Sequence, residues 1–278
     1  MKYIEKQPPL ELEPYIKCFW YLNRTYNDVD SGEILWPDGC HEMIIHYGSQ
    51  YKSQGQTLPT ACLIGTLSKY HFLEGNGEIR LFGIRFKPWG LIPVLEEKIN
   101  LLKDQFLPLS ILLKGIENIE KELEKAELEE GIGILKGFIL ERFDINKIEK
   151  ELEFIELLSK LYSNPINQDV QTVIKESHYS PRQFERKCSD LIGLSAKKLS
   201  KVARFNQVRL KLFFNPSLDL HDCMNEFGYF DYSHFSKDFK ERLGLTPNEY
   251  KKWMLDRSKK IDTSNKNVVF LQDESLKP

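Results

Sequence analysis

A chain of 278 residues has room for two domains or one large one, and its 41% hydrophobic and 29% charged residues are ordinary for a water-soluble globular protein. No apolar run approaches the roughly 20 residues needed to span a bilayer, which excludes a transmembrane helix and leaves no membrane partner to expect. The formal net charge of -2 hides a division: residues 1–164 carry 19 Lys/Arg against 26 Asp/Glu, whereas residues 165–257 carry 16 against 12, so a polyanion partner suits the second part only.

The opening MKYIEKQPPLELEPY has no apolar stretch of the kind that directs secretion. The five cysteines, Cys18, Cys40, Cys62, Cys188 and Cys223, are scattered and odd in number, which fits buried thiols in a reducing cytoplasm. Residues 1–95 form the first expected unit, β-rich and suited to sensing. Short strands begin near residue 15, in GEILWPDGCHEMIIHYG, ACLIGTL and EIRLFGIRFKPWG, separated by Gly, Pro and Asn turns. In EIRLFGIRF, alternation puts Ile79, Leu81 and Gly83 on one face and Phe82, Ile84 and Phe86 on the other. Both faces are apolar, as in a small barrel or sandwich.

From Leu91 the period changes to a helical one. Residues 96–160 read as a helical connector or dimerisation region, with Leu109, Leu112, Leu113, Ile116, Ile119 and Leu123 in register and glycines 131, 133 and 137 as breaks. The stripe from Leu109 to Leu128 serves either a second copy of the chain, giving a homodimer, or the chain's own β-domain.

Asn164-Pro165 opens the third unit, 161–257, which contains a repeat. FERKCSDLIGLSAKKL (184–199) aligns with FSKDFKERLGLTPNEY (235–250) at an offset of 51; upstream the offset is 50, so the second turn is one residue longer. Each copy reads as helix, tight turn and second helix, then Gly-Leu-Ser/Thr and a new helix start. Ser180-Pro181, Asp231 and Thr246-Pro247 supply caps, and Gly228 the permissive turn residue. Phe184, Phe235 and Phe239 face inward as the structural core of the two units. Arg182, Gln183, Arg186 and Lys187 in the first copy, and Ser233, His234, Lys237 and Lys240 in the second, remain for base edges and phosphates. A solvated helix face explains any one of these charges, but not the duplicated arrangement. AKKLSKVARFNQVRLKLFF joins the copies as one long helix. The remaining residues, 258–278, read as a flexible polar tail.

EFGYFDYSHFSKDFKERLGLTPNEYKK and YSPRQFERKCSDLIGLSAKKLSKVARF resemble the two helix-turn-helix units of the AraC-type family of bacterial transcriptional regulators, over about residues 160–255. The resemblance implies an all-α reading module for double-stranded promoter DNA. Positions matching Arg182, Gln183 and Arg186 lie on the first recognition helix, and those matching Ser233, His234 and Lys237 on the second. The last is usually arginine; lysine keeps the charge without the bidentate fork, which favours phosphate contact. Ile174 and Met224 replace a small alanine usual in the first helix of each unit, and Ser177 stands where an apolar residue is usual. WPDGCHEMIIHYG, LIGTL and LFGIRFKPWG are similar to the cupin-like sensing domain of one subgroup of these regulators. The expected fold is therefore α+β, a small cupin-like β-barrel or sandwich with helices followed by an all-α domain with two helix-turn-helix units. The expected function is transcriptional activation through RNA polymerase, controlled by a small-molecule effector at the N-terminal domain. The alternatives are a small-molecule-binding protein, or an interaction protein that keeps the scaffold without strong DNA binding.

No cofactor, metal or catalytic group is expected. His41 faces away from both Glu42 and His46 on an extended strand, and no zinc-finger spacing, phosphate loop or HExxH occurs. Trp20, Tyr21, Trp36 and Trp89 either line an apolar effector pocket or form core.

Overall fold

The computed structural model describes residues 2–26, 32–96, 98–258 and 268–269. In chain order the strands are β1 (Lys2–Lys6), β2 (Ile16–Tyr26), β3 (Gly32–Leu35), β4 (His41–Gly48), β5 (Lys52–Ser53), β6 (Gln56–Thr57), β7 (Ala61–Ile64), β8 (His71–Glu74), β9 (Gly77–Phe86), β10 (Phe106–Pro108) and β11 (Val268–Val269). They form a seven-stranded sheet ordered β10-β7-β4-β9-β2-β1-β11 and a four-stranded sheet ordered β3-β8-β5-β6. The sheet thus takes in β1, ahead of the region read as strands, and β10, beyond residue 95. Of the tail 258–278, the described residues include Val268 and Val269, paired parallel to Tyr3 and Ile4; most of the rest lies outside the described residues.

The two apolar faces of β9 have different partners. Ile79 and Leu81 are buried with Ile44, Tyr51 and Leu73, which brings together side chains of both sheets. Phe82, Ile84 and Phe86 are buried on the other face with Leu109, Leu113, Ile116, Leu123 and Ile132. The stripe from Leu109 is therefore spent on the chain's own sheet. It is also not one helix: a 3-10 turn at Leu109–Ile111 precedes Gly115 (φ 81°), and α1 (Ile116–Lys125) begins after it.

α2 (Leu128–Leu140) runs straight through glycines 131, 133 and 137, which do not break it. At Gly131 a Cβ would stand 2.2 Å from the Phe82 ring, so the bare backbone lets the helix lie close on the sheet. Burial of Ile132, Leu135, Phe138 and Ile139 outweighs the roughly 1 kcal/mol that each glycine costs a helix interior. α3 (Ile145–Glu149) and α4 (Leu152–Ser163) complete the connector.

The all-α domain is α5 (Val170–Glu176), α6 (Pro181–Ile192), α7 (Ala196–Phe214), α8 (Leu220–Glu226), α9 (Tyr232–Leu243) and α10 (Pro247–Ser258). Asp169, Ser180, Ser195, Asp219 and Asp231 each accept a backbone N–H at a helix start, which satisfies donors that the helix leaves unpaired. Unit one is α5–α6 and unit two α8–α9, joined by α7. At 19 residues α7 is about 28 Å long. The chain is thus a β-rich domain followed by an all-α domain with a helix-turn-helix motif.

Candidate functional site

In α6, Phe184, Cys188 and Ile192 are buried, and the Phe184 ring lies 4.7 Å from that of Phe154 on α4. Ser180 and Gln183 form a reciprocal capping box, in which the Gln183 carbonyl accepts from Ser180 N at 3.0 Å. Arg182, Gln183 and Arg186 are exposed together. Lys187 departs from that set. Its ammonium ion-pairs with Glu151 at 2.7 Å and donates to the Tyr179 hydroxyl at 3.0 Å, because its position on the helix faces α4 rather than solvent. Burial opposes its charge, but the bonds to Glu151 and Tyr179 outweigh that and raise its pKa.

In α9, Phe235 and Phe239 are fully buried and their rings are 5.0 Å apart. Tyr229 donates to Asp238 at 2.7 Å, and Asp238 pairs with Arg242 at 2.8 Å, one helical turn on. Ser233, His234, Lys237 and Lys240 are exposed. Arg204 of α7 lies 4.3 Å over the Tyr229 ring, close to the turn that Gly228 (φ 65°) makes.

The larger residues of the short helices fit. Ile174 and Met224 are buried in the cores of their units, and the Ser177 hydroxyl donates to Ile174 O at 2.6 Å while accepting from Tyr179 N at 3.3 Å. A polar residue there stabilises the turn. Phe230 was not singled out by the sequence reading. It is 92% exposed just before α9, in the turn that the change of offset from 50 to 51 marks as longer.

Between the β-domain and α4, α7 and α10 lies a cavity of about 1150 Å³. Trp20, Trp36 and Trp89 are on its wall. Tyr21 is not: neighbouring strand residues point to opposite faces, and its ring packs 5.1 Å from Phe82 on the helix-covered side. The Trp20 ring lies on Gly83, where a Cβ would stand 2.2 Å away. Arg85 donates to Glu42 at 2.5 Å, and Lys17 donates to the Tyr162 hydroxyl at 2.7 Å, which in turn donates to Asp38 O at 3.0 Å. Burial pushes the Asp38 carboxyl up, but Arg85 and Lys17 more than offset it and hold its pKa down. From the helical side, the Arg209 guanidinium stacks 4.2 Å over Trp36 and donates to Asn206 Oδ1 at 3.0 Å. The sequence carried no periodic signal for Lys17, Tyr162 or Arg209, because each is defined by a partner far along the chain.

Burial drives the pKa of His41 down to about 4, and His46 and His71 are shifted the same way. Among the described residues no group of three or more His, Cys, Asp or Glu side chains is placed to hold a metal ion. None of the described helices is long and apolar enough to cross a membrane.

Two families match parts of the chain. Residues 173–252 match a helix-turn-helix domain family, and residues 4–108 match a family described as a domain of unknown function (DUF6597). A search of curated proteins returns no match. Among solved structures the chain is similar to ToxT from Vibrio cholerae, at 13% identity and a TM-score of 0.48, over 91% of this chain and 99% of that one. It is also similar to unsaturated fatty acid bound wild-type ToxT from strain SCE256, at 12% identity and a TM-score of 0.47, over 90% and 95% of the two chains.

Proposed function

We propose that this protein is a sequence-specific, DNA-binding transcriptional regulator, an activator acting through RNA polymerase and controlled by a small-molecule effector. The observation that carries the reading is the pairing of α6 and α9. Each buries an apolar stripe, each leaves a polar, cation-bearing face exposed, and one continuous helix joins them. A helix held in this way meets the major groove with its N-terminal turns. Arg182 and Arg186 offer planar forks for guanine or phosphate, Gln183 an amide for adenine, and Ser233 and His234 shorter polar contacts. Lys237 and Lys240 are compact charges suited to phosphate. Lys187 serves the fold rather than DNA, being held by Glu151.

The cavity is the natural effector site, because its wall is drawn from the β-domain and from α7 alike. An occupant there touches the helix that fixes one unit relative to the other. Differential affinity for two interdomain arrangements would then bias DNA binding.

Selection of the full chain against a randomised duplex library tests the reading. One recurrent site with two elements is the expected result, and Arg182→Glu with Arg186→Glu should weaken its binding by at least about 100-fold. Weak binding that selects no sequence and collapses with salt would leave a helix-turn-helix scaffold without an operator, and would overturn the assignment.

A further inference from the structure

The second helix of each unit ends on a left-handed glycine, Gly193 (φ 73°) after α6 and Gly244 (φ 75°) after α9. Both glycines abut one segment of the β-domain, the loop between β7 and β8. A Cβ on Gly193 would stand 2.8 Å from Thr66 Oγ1, and one on Gly244 would stand 2.6 Å from the Tyr70 ring. Thr66 is fully buried and its hydroxyl donates to Ile192 O at 3.5 Å; beside it Asn100 donates to Asp190 at 3.0 Å. The repeated Gly-Leu turn is thus gripped twice by the same loop.

The loop is itself held. Asp104, with φ 56°, donates its N–H to Thr66 O at 3.0 Å and accepts from Ser68 N at 2.6 Å, and Gly65 N donates to Gln105 O at 3.0 Å. Gly65 has no room for a side chain, since a Cβ would meet Leu102 O at 1.7 Å. Tyr70 lies four residue steps beyond Thr66, a reach of at most about 14 Å even fully extended. The C-terminal ends of α6 and α9 are therefore tied across a short span by the loop, while α7 ties the units along about 28 Å. A single connecting helix permits the units to rock about it, and a second tie removes that freedom. Ile64, immediately before the loop, lines the cavity.

We propose that the loop at residues 65–70 is a clamp that fixes the separation of the two reading helices, so that the β-domain sets the spacing of the DNA elements the protein accepts. This rests on the regulator reading given above. It also gives the cavity a second route to DNA binding besides α7, through Ile64 and the loop.

Two measurements on the full chain test the clamp. Tyr70 is 41% exposed, so Tyr70→Ala spares the fold; paired with Thr66→Val, which removes the hydroxyl bonded to Ile192 O at nearly constant side-chain size, it loosens both grips. Against duplexes whose two elements are separated by variable spacers, the wild type should prefer one spacing, and the double variant should lose at least about fivefold of that preference. Without DNA, the distance distribution between spin labels at Arg182→Cys and Lys237→Cys should broaden when the loop is released; the five native cysteines are buried and escape labelling. Unchanged spacing preference, or an unchanged label distribution, overturns the clamp. Failure of the wild type to select any sequence defeats the regulator reading instead, and the label distances still decide the clamp.

Discussion

The two helix-turn-helix units share one sequence pattern but are built into the molecule differently. Unit one has a core continuous with the N-terminal half: Phe184, Cys188 and Val173 are buried in one cluster with Phe154 of α4 and with Tyr15, Trp89 and Ile92. Unit two has a core drawn from residues 205–254, against which Ile34 and Trp36 of the β-domain pack only partly buried. One aligned position shows the contrast at the scale of a side chain. Lys187 reaches out of unit one to Glu151, whereas its counterpart Asp238 is tied within unit two to Tyr229 and Arg242. Duplication supplies the same helix-turn-helix scaffold twice, and the residues beneath its exposed faces decide how tightly each copy is coupled to the β-domain.

Core truncation is the strongest way to break this comparison. Phe184→Ala and Phe235→Ala should each cost about 3–5 kcal/mol, with different reach. Hydrogen exchange should show Phe235→Ala loosening α8 and α9 with the parts of α7 and α10 that share their core, while Phe184→Ala loosens unit one together with α4 and the segment around Trp89. Loss confined to one unit in both variants would mean that the shared core transmits nothing. Next in size is the aligned pair. Asp238→Ala strands a buried guanidinium and should cost about 3–5 kcal/mol in denaturant melts. Lys187→Met removes an ion pair whose two side chains are each 24% exposed and should cost about 1 kcal/mol.

The sequence was most informative where physics is local. The offset of 51, the caps Ser180, Asp231 and Thr246, and the buried phenylalanines follow from short-range periodicity, and the helices form where that periodicity lies. It was misleading where a tertiary contact overrides propensity. Three glycines in α2 read as breaks because the Phe82 ring that Gly131 accommodates is about 50 residues away in the chain. Tyr21 was grouped with Trp20 as pocket or core alike, although strand alternation separates their faces and only Tyr21 packs against the helix-covered core. Lys187 read as free because its partner Glu151, just ahead of α4, is 36 residues away in the chain. Of the cavity only the aromatic set Trp20, Trp36 and Trp89 was legible, as pocket or core; the wall also joins β2, β9, α7 and α10, and no local pattern encodes that meeting.

Acid offers a third test, directed at the β-domain. Burial holds His41 at a pKa of about 4, below its ordinary 6.5, so the unfolded chain takes up a proton that the folded chain refuses. Stability is then full above pH 6.5 and falls as pH drops towards about 4, by roughly 3 kcal/mol from this group. His46 and His71, shifted in the same direction, add to the slope. His41→Leu should flatten the dependence between about pH 7 and pH 5, read from urea midpoints. If the comparison holds, acid should loosen unit one with the β-domain and leave exchange in unit two nearly unchanged. Equal loosening of both units would show that unit two is not the self-contained one.

The smallest effect concerns the contact that qualifies unit two's independence. Trp36 packs against its core and carries the Arg209 guanidinium at 4.2 Å, and Arg209 keeps its bond to Asn206 whether or not the indole is present. Trp36→Leu therefore strands no charge and should cost only about 1 kcal/mol. Its value lies in where that cost appears. If the stack couples the β-domain to α7, hydrogen exchange should quicken along α7 near Arg209 and in unit two while the two sheets stay protected. An unchanged pattern would reduce the stack to simple proximity. Coupling between the halves would then run through unit one's shared core and the loop at residues 65–70, and unit two would answer to the β-domain through Tyr70, the Ile34 contact and the helix that carries it.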